Sequence, residues 1–330
     1  MMKTNAILRV WSLAVIWLAV GMSAIAGEVV PVRIGIAWQP TEASYARAIL
    51  SIEQAGGEAV ILPQIRPAGF EYDDMVLCPK YVDEMGVLRQ EYADIIKSET
   101  YHGTSIAELL QGVQAVVFLG GGDISPTLFA VPQPWHGIAD DSPANATRDV
   151  SEYLTMAYCL DHDIPVLGLC RGMQLLGVVS GAPLIQDLGK YFDEMGKNYH
   201  FLHRMQRDAE GKRYYMPHDV VVTDTTSLLY AIAGTDTIRN VPSWHHQAVG
   251  DVTGTPLRVT GVTPTDGVNI IEAIERTDKR FALGVQYHPE EAIRKELTDQ
   301  PDATRFMPLE EAVAYFQALI KAATGATKAD

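Results

Sequence analysis

The order of apolar strands and amphipathic helices along these 330 residues predicts an α/β fold: a doubly wound, mostly parallel sheet with antiparallel additions at one edge. Val32–Ala37 and Ala59–Leu62 are short apolar runs separated by a helical pattern, a β–α–β unit whose strands are parallel and whose crossover is right-handed. The same alternation returns between Ala115 and Val179. Beyond Gly181 strand patterns follow one another with few helices between them, the way antiparallel strands extend a sheet edge.

The first helix runs over Tyr45–Ala55, with Tyr45, Ala48, Ile49 and Ile52 on one face, and Gly56-Gly57 ends it. Pro63–Thr104 breaks the rhythm. It is rich in Tyr, Asp, Glu and Met, has a weak helical pattern at Tyr92–Lys97, and is too long for an ordinary loop, so it reads as an insertion or lid. Ala115–Leu119 is the next strand, followed by Gly120-Gly121-Gly122-Asp123. A helix at Arg148–Leu160, a strand at Pro165–Leu169 and a helix at Arg171–Val179 come next. The later strands are His218–Thr223, Leu257–Val262, Ile270–Ile274 and Phe281–Gln286, and Leu309–Ala323 closes the chain as a helix before a frayed tail.

Composition bounds the function. The chain is 47% hydrophobic with a net charge of -15 and a pI near 5.0, so a phosphate backbone would be repelled and nucleic acid is not an expected partner. Lys3 and Arg9 precede an apolar run, Val10–Met22, and Ala24-Ile25-Ala26 follows at signal-peptidase spacing. Residues 1–26 therefore read as a cleaved signal peptide and 27–330 as one domain, exported to a periplasm or the medium and left with no stable membrane span. In an oxidising compartment Cys78 and Cys159 can pair, and an odd third thiol, Cys170, calls for a reason. Asn145-Ala146-Thr147 is a glycosylation sequon, meaningful only in a eukaryotic secretory pathway.

That reason lies in Gly168-Leu169-Cys170-Arg171-Gly172-Met173-Gln174, where a buried strand runs through one residue directly into a helix. This is nucleophile-elbow geometry: a tight turn that lifts the side chain above the sheet, with small flanking residues where backbone passes close by. The sulfur sits at a helix N-terminus, which favours thiolate, and the Arg171 N–H is aimed at the same place. In Gly284-Val285-Gln286-Tyr287-His288-Pro289-Glu290 a strand delivers a histidine, and a carboxylate follows two residues later. A cysteine nucleophile needs such a base and an orienting partner for it. The glycines Gly121 and Gly122 at a strand end supply further N–H groups for an oxyanion, and neither phosphate-loop spacing is met. His200 and His203 have metal-ligand spacing but no matching third ligand, and His245-His246 point opposite ways in extended chain, so no metal is expected.

With these residues in hand, the chain resembles the class I glutamine amidotransferase-like superfamily, a flavodoxin-like fold, and within it the γ-glutamyl-γ-aminobutyrate hydrolase type. The resemblance rests on Gly168–Val178 and Phe281–Glu291, with support from Arg148-Asp149, Pro217–Val220, Ser243–Gln247 and Pro264–Gly267, and spans about Arg33 to Ala323. It implies that Cys170 attacks a γ-glutamyl carbonyl, that His288 held by Glu290 shuttles the proton, and that Gly121, Gly122 and Arg171 hold the oxyanion. It places Gln174, Ser243, Trp244 and His245 against the glutamyl group, with no metal and no organic cofactor. The implied partner is a small γ-glutamyl substrate; a homodimer is left open. Pro63–Thr104 is longer than the family pattern, and export is unlike its polyamine-breakdown members. A folate polyglutamate hydrolase type and a catalytically silent binding protein on the same scaffold are the competing expectations.

Overall fold

Nine strands form the central sheet of the computed structural model, which describes residues 31–40, 43–99, 101–137 and 143–325. They are β1 (Arg33–Ile36), β2 (Glu58–Ile61), β3 (Ala115–Phe118), β4 (Val166–Leu169), β5 (Met216–Val222), β6 (Thr237–Ser243), β7 (Leu257–Thr265), β8 (Val268–Arg276) and β9 (Ala282–Val285). Their spatial order is β2-β1-β3-β4-β9-β8-β7-β5-β6. The first five of that order are mutually parallel, and every later pairing is antiparallel. The expected architecture is the observed one. The expected signal peptide, residues 1–26, lies outside the described residues.

Helices cover both faces because the parallel strands are apolar on both. On β3, Val116 and Phe118 face one core and Ala115 and Val117 the other. The first core packs against α2 (Gln90–Glu99), α3 (Ala146–Asp161) and α4 (Arg171–Val179). The second packs against α1 (Ala43–Gln54), α5 (Pro289–Leu297) and α6 (Leu309–Ala323). The Asn145 side chain accepts from the Arg148 N–H and caps α3, so the sequon asparagine is a helix cap.

Of these elements, two went unread in the sequence, β6 and α5, as did the short helices Leu188–Glu194 and Leu228–Ala233. β6 carries Pro242 and a left-handed Asn240, tolerable because the strand lies at the sheet edge. α5 is short and polar, but its start signals are present: Pro289 in the first turn, Glu290 and Glu291 beside it, and Arg294 and Lys295 in the last turn.

Residues 63–99 are bound to α3 and to Ser125, after the glycine loop. The N–H groups of Ile65, Leu77 and Leu88 donate to the hydroxyls of Ser151, Thr147 and Ser125. Phe70, Tyr81 and Tyr92 pack ring on ring, and Leu77, Leu88, Ala93 and Ile96 are buried in the first core. Cys78 and Cys159 are both free thiols, so the pairing that export would permit is not made; burial in the first core pushes the Cys159 thiol well above its ordinary pKa.

Candidate active site

Strands β3, β4 and β9 are adjacent, and their carboxyl ends carry the glycine loop, Cys170 and His288. Phe118 and Gly284 both pair with Gly168, so three motifs distant in sequence leave the sheet side by side. Ligands in open α/β sheets bind at this edge.

Cys170 occupies the turn between β4 and α4 with φ 52° and ψ -104°, a left-handed conformation that costs a non-glycine residue about 1–3 kcal/mol. The turn is held by the Cys170 N–H donating to Val285 O at 2.8 Å. It also needs backbone to touch backbone: a Cβ on Gly172 would lie 2.3 Å from Phe118 O, and one on Gly168 would lie 2.5 Å from the Gly172 carbonyl carbon. Both flanking glycines are thus forced by the elbow, as the spacing predicts.

His288 follows β9 as the cap of α5, and its backbone N–H donates to Pro242 O at 2.9 Å. The first turn of α5 brings Glu290 back, so that Glu290 Oε1 lies 2.6 Å from His288 Nδ1. Burial opposes a charge on this imidazole, but Tyr215, the Glu290 carboxylate and Cys170 together outweigh it and hold the pKa well above its ordinary value. Tyr215 packs edge-on to the ring at 5.2 Å. Arg47 donates to the Tyr215 hydroxyl at 3.0 Å.

A buried charge network fastens the glycine loop to the elbow. Arg148 donates to the carbonyls of Leu119 and Gly120 at 3.0 Å each and to Glu152 at 2.9 Å. The Arg171 guanidinium pairs with both Asp149 and Glu152, and Asp149 also accepts from the N–H and hydroxyl of Ser125. Two cations face two carboxylates, and all four side chains are buried. Asp123 ties the far end of the loop to His246, 2.9 Å away, and to the Trp135 indole at 3.1 Å.

These groups open on a cavity of about 510 Å³ whose lining includes Gly120–Gly122, Cys170, Arg171, Gln174, Trp244 and His288. That volume suits a small ligand. Gln174 donates to Gln247 O at 3.2 Å and to Gln286 at 3.3 Å, fixing its amide at the floor. The Trp244 carbonyl accepts from Cys170 Sγ at 3.9 Å.

Two of the expected contact residues turn elsewhere. Ser243 is fully buried, absent from the lining, and donates to His203 O at 2.9 Å. His245 reaches the cavity wall, but its ring is aimed inward, with Nδ1 on Gln247 O at 2.8 Å and Nε2 3.3 Å from Glu272. Both sit on an edge strand or just after it, where alternate residues face away from the cavity. Arg47, Arg204, Tyr215 and His246 line the cavity instead. Only His246 carried a signal, being next to His245 with the opposite facing.

Residues 90–290 match the model of the Peptidase C26 family, more than half of the chain. Protein NtpR of Enterococcus hirae is 34% identical over 189 residues, which are 57% of this chain and 71% of that protein. The γ-glutamyl-γ-aminobutyrate hydrolase PuuD of Escherichia coli K12 is 30% identical over 151 residues, 46% of this chain and just over half, 56%, of that protein. The elbow cysteine, the His-Pro-Glu turn and the glycine loop all fall inside the matched region. The chain belongs to the Peptidase C26 family of the class I glutamine amidotransferase-like superfamily and is a glutamine amidotransferase-like hydrolase.

Proposed function

We propose that this chain hydrolyses a γ-glutamyl amide through a γ-glutamyl thioester on Cys170, releasing glutamate and an amine. The observation that carries the reading is the convergence of Cys170, the His288–Glu290 pair and the Gly120–Gly122 loop at three neighbouring strand ends around one cavity. The similarity to a γ-glutamyl-γ-aminobutyrate hydrolase supports the bond that is cut.

His288 takes the thiol proton of Cys170 as the sulfur attacks, and its raised pKa favours the imidazolium that results. The Cys170 sulfur adds to the γ-carbonyl carbon, and the oxyanion forms against the N–H groups of Gly121, Gly122 and Arg171. His288 gives its proton to the leaving amine as the C–N bond breaks, and the thioester remains. Neutral His288 then takes a proton from water; the resulting hydroxide adds to the thioester, and the C–S bond breaks to give glutamate and the Cys170 thiolate. Glu290 keeps the imidazole oriented throughout. A second cavity of about 770 Å³, walled by the 63–77 stretch, shares Gln39, Pro40 and Asn145 with the first. It offers room for an amine larger than ammonia.

The N-terminal 26 residues support export, with the reaction run in a periplasm or the medium. Export is tested separately, by cell fractionation and the N-terminal residue of the mature chain. The reaction is tested with a panel of γ-glutamyl amides assayed for glutamate, and with mass spectrometry after a thiol-directed glutamine analogue. Glutamate release and a single adduct on Cys170, both absent in Cys170→Ser, are expected. No release from any amide together with no adduct on the wild type would sink the reading.

A further inference from the structure

Behind the cavity wall, His203, His218, His245 and Glu272 converge from four separate segments. One ligand atom from each lies within 4.8 Å of all the others, and every side chain is at most 7% exposed. His203 belongs to the segment before β5, His218 is on β5, His245 follows β6, and Glu272 is on β8. The catalytic scheme above uses none of them.

The atoms that face inward lack partners. His203 Nδ1, His218 Nε2, His245 Nε2 and both Glu272 oxygens make no hydrogen bond of regular geometry. They face one another instead, with Glu272 Oε1 at 2.8 Å from His203, 3.3 Å from His245 and 3.8 Å from His218. Five orphaned polar atoms at one buried point are expensive unless something satisfies them together.

The outward nitrogens, by contrast, are tied. His245 Nδ1 lies 2.8 Å from Gln247 O, which can only accept, so Nδ1 carries the proton and Nε2 presents a lone pair inward. His218 Nδ1 lies 3.2 Å from Thr263 Oγ1, whose own hydrogen goes to Asp219 O, so His218 Nε2 is bare as well. His203 Nε2 rests on Thr265 Oγ1 at 3.2 Å. Orienting bonds on the far nitrogen with a bare nitrogen inward are the outer shell of metal-bound histidine.

We propose that His203, His218, His245 and Glu272 form a structural zinc site. Three imidazole nitrogens and one carboxylate, with no place left for substrate, match a closed tetrahedral Zn²⁺ set. The three distances to Glu272 Oε1 bracket the ~3.3 Å ligand separation of a tetrahedron with ~2.05 Å bonds. The site braces the active-site wall. His203 O accepts from the His245 N–H at 2.9 Å and from Ser243 Oγ, so the metal clamps the 243–247 segment that presents Trp244 and His246 to the cavity.

The test is elemental analysis of the full chain, purified without a chelating tag, before and after dialysis against dipicolinate. About one zinc per chain before dialysis is expected, with a Tm that falls on dialysis and returns with one equivalent of zinc. Cobalt added to the stripped chain should give visible d–d bands of tetrahedral intensity. Glu272→Gln should hold at least tenfold less zinc; if that variant does not fold, wild-type uptake decides. A folded wild type with under about a tenth of an equivalent of metal, no Tm response to zinc and no cobalt bands overturns the proposal and leaves a proton-sharing cluster. Full zinc retention by folded Glu272→Gln overturns it equally. None of these readouts depends on the γ-glutamyl reaction.

Discussion

Two polar centres lie back to back in this molecule, and they are built by opposite means. The cysteine centre comes from three contiguous motifs at neighbouring ends of parallel strands, each motif carrying its own backbone logic: an elbow, a helix cap, a glycine loop. The histidine centre comes from single residues of four segments, brought together by the antiparallel half of the sheet. The first is open to a cavity and holds its charges in a line of partners; the second is sealed and leaves its inward atoms unpaired. On the readings proposed above, the parallel half supplies reactivity at strand ends, while the antiparallel half supplies a brace for the wall beside it.

That contrast can be broken at several points. Replacing Cys170 by Ala should lower kcat by about 10⁴-fold or more while leaving the urea midpoint of unfolding unchanged or slightly higher, since the strained elbow then holds no reactive group. A large stability loss there would mean that the two centres are not separable.

Glu290→Gln should cost about 10²–10⁴-fold in kcat/KM. It should also move the alkaline limb of the pH profile to lower pH, because the carboxylate is one of the groups raising the His288 pKa. The sign for stability follows. The folded pKa is raised, so the contribution is complete below the ordinary imidazole value and is lost as pH rises through the raised one. Equilibrium unfolding across that range should therefore show an alkaline decline in wild type that is flatter in the variant. An unmoved alkaline limb would assign it to a group other than His288.

Arg171→Met removes the cation that Asp149 and Glu152 share inside the core, and should cost about 3–5 kcal/mol in urea unfolding. Gly120→Ala should lower kcat by about 100-fold with little change in stability, because its Cβ would lie 2.7 Å from His288 Cε1. Retained activity would show that the imidazole has room to shift. The smallest effect belongs to Cys78→Ser, within about 0.5 kcal/mol and with identical behaviour in reducing and non-reducing buffer, as both non-catalytic thiols are free.

What could be read without the structure follows from how local each signal is. The Gly168–Gly172 spacing announces a turn in which backbone meets backbone, and the contacts at Phe118 O and Gly172 bear this out. His288-x-Glu290 is equally local, since the cap and first turn of one helix bring the two side chains together. Tyr215, by contrast, reaches His288 only because the residue before β5 folds over β9's end, and nothing in its neighbours says so. Arg148 and Asp149 are neighbours on α3 with Glu152 one turn on, yet their use as a clamp depends on Arg171 arriving from the next helix.

The sequence by itself determined the parallel half of the sheet, the elbow at Cys170, the histidine with its carboxylate, and the glycine loop, because each is a short run whose backbone preferences need no distant partner. Only the tertiary structure decided that Ser243 and the His245 ring turn away from the cavity, and that His203 finds its companions in His218, His245 and Glu272. Strand register decides which face a side chain takes, and one residue of shift reverses it. A site assembled across antiparallel register leaves no spacing in the chain to be read.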